Sequence, residues 1–226
     1  MFSPSMPFAQ HLRSKVLAAV ILASVAASPA LALTDPIGDF LPTYTGVQAG
    51  DLDVVQALGL FDAARQTFTF EATLAAPIGT TPGALYVWGL DRGQGTERFV
   101  NGTPSIGQGV LFDSVLVVRP DGTGQFNDIV NNTQVALSAG SIVIVGNAIV
   151  AKDLPASLFP STGRAFGDYT WNLWPRVGLG SNTQISDFAP DGHNASLYIT
   201  SVPEPGSLPL LMSSLVVLGW CSVRRT

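Results

Sequence analysis

Asp35 and Asp39 share one Pro/Gly turn, Asp35-Pro36-Ile37-Gly38-Asp39, and Asp51 and Asp53 flank the start of an apolar run. Alternate residues of a strand share a face, so this spacing puts Asp51 and Asp53 on one side. Oxygen-rich turns at strand edges suit calcium, which takes about six to eight oxygens from carboxylates and carbonyls. Asp187 and Asp191 are two further carboxylates able to join from the far end of the chain. The spacing is not that of an EF-hand loop. Aspartates in turns also bond to their own backbone, and this capping reading stands beside calcium. No motif calls for any other cofactor.

A second group is aromatic: Tyr169-Thr170-Trp171-Asn172-Leu173-Trp174-Pro175-Arg176. Exposed, Trp171 and Trp174 would stack on sugar rings, with Asn172 supplying polar contacts. Buried, they would be core, the common fate of aromatic pairs in β proteins. Catalytic sets are harder to find. His193 follows Asp191 in a loop but has no nucleophile in a Gly-x-Ser-x-Gly setting. Asp113 lies within an apolar run, yet one acid does not make a glycosidase, which needs two at a set distance. The sequence therefore offers no catalytic residue.

The chain as a whole narrows the choices further. Its only cysteine is Cys221, near the end, so residues 33–200 contain neither a disulfide nor thiol chemistry. His193 is the only histidine after His11, which argues against zinc sites built on His/Cys sets. Between Leu33 and Pro205 sixteen acidic side chains face seven basic ones, a net charge near −9. Such a field repels phosphate, and no basic face is present, so nucleic acid is not an expected partner.

The elements that must hold these residues read as strands. Thr67–Leu74 alternates strictly, with Phe68, Phe70, Ala72 and Leu74 on one face, the period of a half-buried strand. Leu52–Phe61, Ala84–Leu90, Val110–Arg119, Tyr169–Leu173 and Ser196–Thr200 are further strands. Thr123–Ile129 and Thr133–Leu137 are weaker ones, and Ser141–Val145 and Asn147–Ala151 surround a Gly146-Asn147 turn. Asp62–Gln66 and Pro120-Asp121-Gly122 are turns, and Asp153–Phe159 suits one helical turn. Short strands between Gly, Pro, Asn and Asp clusters predict an all-β protein, a single antiparallel β-sandwich. About 168 residues suffice to bury a core without covalent staples.

Both ends carry a different pattern. Residues 1–32 show Arg13 and Lys15, an apolar run, then Ala30-Leu31-Ala32. A basic start, an apolar stretch and an A-x-A site predict a signal-peptide helix cleaved after Ala32. Residues 201–226 read Val202-Pro203-Glu204-Pro205, then an apolar transmembrane helix over about 207–223, then Arg224-Arg225 as a basic stop. The prolines fix φ and remove two donors, leaving an extended strip around Glu204. The apolar run is short for a bilayer core of about 30 Å, but snorkelling arginines extend it and favour a cytoplasmic C-terminus. A plain membrane anchor would look similar.

This tail resembles the PEP-CTERM sorting signal of Gram-negative bacteria, with Val202–Pro205 as the motif and Arg224 and Arg225 as the basic end. The resemblance implies processing by an exosortase-type membrane enzyme, with the inner membrane as a first station and the cell surface or extracellular matrix as the destination. The opening Asp35–Asp39, Asp51-Leu52-Asp53-Val54 and the Thr/Phe strand are loosely similar to extracellular β-sandwiches of the carbohydrate-binding family 9 or DOMON-like type. That would imply a ligand, such as an extracellular polysaccharide, on an edge or face. The leading expectation is thus an exported, non-enzymatic surface or matrix protein. The alternative is a carbohydrate- or calcium-binding module with the same address, and a hydrolase comes third.

Overall fold

The alternation in Thr67–Leu74 is realised as a strand whose Phe68, Phe70, Ala72 and Leu74 are all buried. It belongs to a computed structural model that describes residues 32–200. Among these, twelve strands form two sheets. In chain order they are β1 (Leu33–Thr34), β2 (Val54–Asp62), β3 (Thr67–Leu74), β4 (Ala84–Asp91), β5 (Ser114–Val118) and β6 (Gly124–Asp128). There follow β7 (Thr133–Ala136), β8 (Ile142–Val145), β9 (Ala148–Pro155), β10 (Thr170–Val177), β11 (Ala195–Ser196) and β12 (Tyr198–Thr200).

One sheet runs β1-β2-β3-β9-β8, and β12 also pairs with β2. The other runs β11-β10-β4-β5-β6-β7. The main core lies between them. Phe68 and Phe70 of the first sheet share one buried cluster with Trp88 of β4, Leu116 of β5 and Trp171 and Leu173 of β10 of the second, and the Phe70 and Trp88 rings lie 6.4 Å apart. Apolar inner faces contributed by both sheets are what make a sandwich. The all-β expectation holds, with one correction: β12 pairs with β2 in parallel, Tyr198 beside Leu60 and Thr200 beside Asp62. β1 pairs antiparallel with the same strand, at Ala57 and Gln56.

Turn chemistry sets the hairpins. Asp62 Oδ1 accepts hydrogen bonds from the Ala64 and Arg65 amides, both at 2.9 Å, closing the β2–β3 turn. Asp121 does the same for Thr123 between β5 and β6. The strand expected over Val110–Arg119 begins only at Ser114, because Val110–Asp113 bends away to cover the outer face of the second sheet. The helical turn expected over Asp153–Phe159 is only a 3-10 turn at Ala156–Leu158, since β9 runs on to Pro155.

The outer face of the second sheet is not wet. Val87, Val117 and Trp174 are buried there with Phe99, Ile106, Val110, Phe112, Ile185 and Phe188, which come from the long connections. Phe99 meets the Trp174 ring edge-on, centroids 5.0 Å apart at 90°. β10 is therefore buried on both faces, and Pro175 is tolerated because its missing donor falls on the side away from the β4 ladder's needs. No helix of the described residues is long and apolar enough to cross a membrane. The expected signal helix and C-terminal transmembrane helix lie outside the described residues, as do Ala30 and the motifs Val202–Pro205 and Arg224-Arg225.

Candidate functional site

Three chain segments converge at the start of β2. The first is the Asp35–Asp39 turn, pinned alongside β2 by the Asp35 amide donating to the Val55 carbonyl at 2.9 Å. Gly38 has φ +85°, a left-handed conformation that lets the turn double back. The second is Asp53, whose Oδ2 accepts the Gly38 amide at 2.9 Å. The third is Ser186-Asp187-Phe188. Ser186 Oγ donates to the Leu52 carbonyl at 2.8 Å, and Asp187 Oδ2 accepts the Val54 amide at 2.9 Å. Asp187 thereby ties the first sheet to the segment that runs beside β10.

The result is a carboxylate cluster. Asp35, Asp39 and Asp187 each offer an oxygen, and these lie within 4.8 Å of one another. Asp187 is 1% exposed and Asp53 is 3% exposed. Asp35 Oδ2, Asp39 Oδ1 and Asp53 Oδ1 are buried atoms with no hydrogen-bond partner. Desolvation, then the fields of Asp187, Asp39, Asp191 and Asp53, push the Asp35 carboxyl up to about 8. Burial, with Asp39 and Asp53 adding to it, pushes Asp187 up to about 7 against the amide hydrogen bonds that favour its charge. Asp53 and the exposed Asp191 are raised as well, by burial first and by Asp39 next.

Asp51 is not part of this group, which corrects the expectation that it shares a face with Asp53. A 3-10 turn over Gly50–Leu52 breaks the strand period before β2 begins. The Asp51 carboxylate points the other way and accepts from the Thr81 amide at 2.7 Å and the Thr81 hydroxyl at 2.5 Å. It is a turn cap. Asp187, named in the sequence only as able to join, is a central member.

For the aromatic group the structure decides between the two readings, in favour of core. Trp171, Asn172 and Trp174 are 2%, 0% and 1% exposed, so they form no sugar-stacking platform. Trp171 fills the inner core above Gly59 and Trp174 fills the outer core above Gly89, where an added Cβ would collide with each ring. Asn172 spends both amide hydrogens on the Pro190 and His193 carbonyls, at 2.6 and 2.9 Å. It fixes the loop that carries Asp191.

Asp113 belongs to a different network. Arg92, fully buried, donates from Nε to Asp113 Oδ1 at 2.7 Å and from Nη2 to Asp128 Oδ1 at 2.9 Å. Asp113 Oδ2 further accepts the Thr162 hydroxyl at 2.5 Å. Burial would raise Asp128, but hydrogen bonds from Arg92 and Asn131 outweigh it and hold its carboxyl down at about 2. The Phe126 ring lies under the guanidinium, 5.6 Å from its centroid. These acids are fully engaged and buried, a poor arrangement for a glycosidase pair. His193 is exposed, and its Nδ1 lies 2.8 Å from the Asp191 carbonyl rather than facing the Asp191 carboxylate in a relay.

No family model, no curated protein and no solved structure matches the chain, so the reading of its sites rests on its own residues.

Proposed function

We propose that the chain is an exported, non-enzymatic surface or matrix protein, delivered by its signal peptide and by a PEP-CTERM-like tail read by an exosortase-type enzyme. The observation that supports this reading is that the residues between the two terminal signals build both sheets among themselves. β1 (Leu33–Thr34) and β12 (Tyr198–Thr200) are the first and last strands of the described residues. Both outermost strands pair with β2, so each end of the body is fixed into one sheet. The two sheets use the residues that the terminal signals would leave as cargo. Cleavage on either side would leave every strand of the described residues in place.

The test is intact mass of the protein produced with and without the processing enzyme. The expected product loses residues 1–32 in both cases and is cut in the tail only when the enzyme is present. An uncut C-terminus in both would reduce the tail to a plain anchor.

A further inference from the structure

Burying carboxylates together without a cation is costly, because each loses its water and repels the others. At the start of β2 Asp53 and Asp187 are buried, and Asp35 and Asp39 are half-buried with one oxygen each enclosed. Among the described residues, none of Asp35, Asp39, Asp53 and Asp187 makes an ion pair with Arg or Lys. Backbone amides satisfy Asp187 and one oxygen of Asp53. They leave an oxygen on each of Asp35, Asp39 and Asp53 buried with no donor at all.

Asp53 is the observation that separates this from an ordinary acidic patch. It is 3% exposed, so water does not solvate its free Oδ1. Its other oxygen is bonded to Gly38, inside the turn that carries Asp35 and Asp39, which sets the side chain beside the cluster. A buried oxygen with lone pairs and no donor needs a positive partner.

We propose that Asp35, Asp39 and Asp187, with Asp53 beside them, form a calcium site that joins the opening turn, the start of β2 and the Ser186–Phe188 segment. The three converging donors are all oxygen and carry up to three negative charges, the chemistry of a hard divalent cation. Oxygens of Asp35, Asp39 and Asp187 no more than 4.8 Å apart leave a point between them within about 2.8 Å of each, close to the calcium–oxygen range of about 2.3–2.6 Å. The ion supplies the positive partner that the sequence withholds. It also cross-links segments that lie about 150 positions apart in the chain, Asp35 and Asp187, a closure that no disulfide provides.

The experiment is thermal melting and titration calorimetry on the full chain in mild detergent, first stripped with a chelator and then given calcium or magnesium chloride. A ligand that binds only the folded state raises stability by mass action. The expected result is a binding heat and a rise in Tm of about 5–10 °C once calcium exceeds its Kd about 100-fold. Asp35→Asn and Asp39→Asn should fold and lose most of that rise. Neither side chain has an amide bond that the fold depends on, unlike Asp187, whose variant is informative only if it melts cooperatively. Absence of heat and of a Tm shift at about 5 mM calcium overturns the proposal. So does a shift that both variants retain in full, which would place calcium elsewhere on an acidic surface. An equal response to magnesium overturns the assignment to calcium.

Discussion

Two clusters of buried acids lie in the same domain and resolve their charge in opposite ways. Around Arg92, Asp113 and Asp128 receive a guanidinium from within the chain, and Asp128 is held down at about 2. At the start of β2, Asp53 and Asp187 receive only backbone amides and Asp35 and Asp39 no donor, and Asp35 and Asp187 are pushed up to about 8 and about 7. The first cluster is closed: its charge is balanced and its oxygens are engaged. The second is open: its oxygens converge and three of them lack a donor. Burial of acids alone therefore does not mark a site. What marks one is burial without an internal counter-charge.

Removing the counter-charge from the closed cluster should have the largest effect. Arg92→Met strands two buried carboxylates, and breaking a buried pair from one side costs about 3–5 kcal/mol. Chemical denaturation should show that loss, and adding Asp113→Asn and Asp128→Asn to the same chain should recover part of it. A loss below about 1 kcal/mol would mean that water reaches the network and that the two clusters differ less than their geometry says.

The same type of change at the open cluster should have the opposite sign. In chelator near neutral pH, Asp35→Asn removes the cost of either protonating this carboxyl or charging it among repelling neighbours, and should stabilise by about 0.5–2 kcal/mol. The metal-free pH profile separates the clusters too. A raised carboxyl pKa gives stability that is complete below the unfolded value of about 4 and is lost as pH rises through the folded one. Asp187 and Asp35 should thus make the metal-free protein less stable between about pH 4 and 8. Asp128, lowered to about 2, contributes in the other sense: its share is present above about pH 4 and is lost as pH falls through about 2. Melting temperatures that rise steadily from pH 4 to 8 in chelator would contradict the open cluster.

The smallest effect should come from an ion pair that is neither open nor closed. Arg164 reaches Asp91 at 2.7 Å, but its side chain is 40% exposed. Arg164→Ala should cost about 0–1 kcal/mol and weaken further in salt. A larger loss would show that the pair acts with the neighbouring Arg92 network rather than alone.

The strands were legible because their information is local. Thr67–Leu74 states its inner face by alternation, and Asp62, Asp121 and Gly146 announce turns that the structure contains. Part of the open cluster was legible for the same reason, since Asp35, Asp39 and Asp53 sit in a turn and at a strand start. Asp51 misled because one 3-10 turn shifts the side-chain period, and a shift of one position changes the face. Trp174 and Asn172 kept a platform reading open beside the core one because the second sheet's outer face is covered by connections from Phe99–Phe112 and Ile185–Phe188. Nothing in β10 itself tells that its second face is dry. The Arg92 network escaped because its three charged members are separated in sequence and meet only through the β4–β5–β6 register.

β2 carries one further consequence. Its first residue, Val54, is held by Asp187 and follows Asp53, while its last, Asp62, lies beside Thr200. Nine residues at about 3.3 Å each separate these ends by roughly 25–30 Å. The strand acts as a spacer with a polarity. A protein tethered through its tail would hold the acidic cluster at the end of β2 away from the tether, several Debye lengths from the anionic surface that holds it. At that reach, a cluster so tethered would sample the ion concentration of the surroundings rather than that next to the membrane.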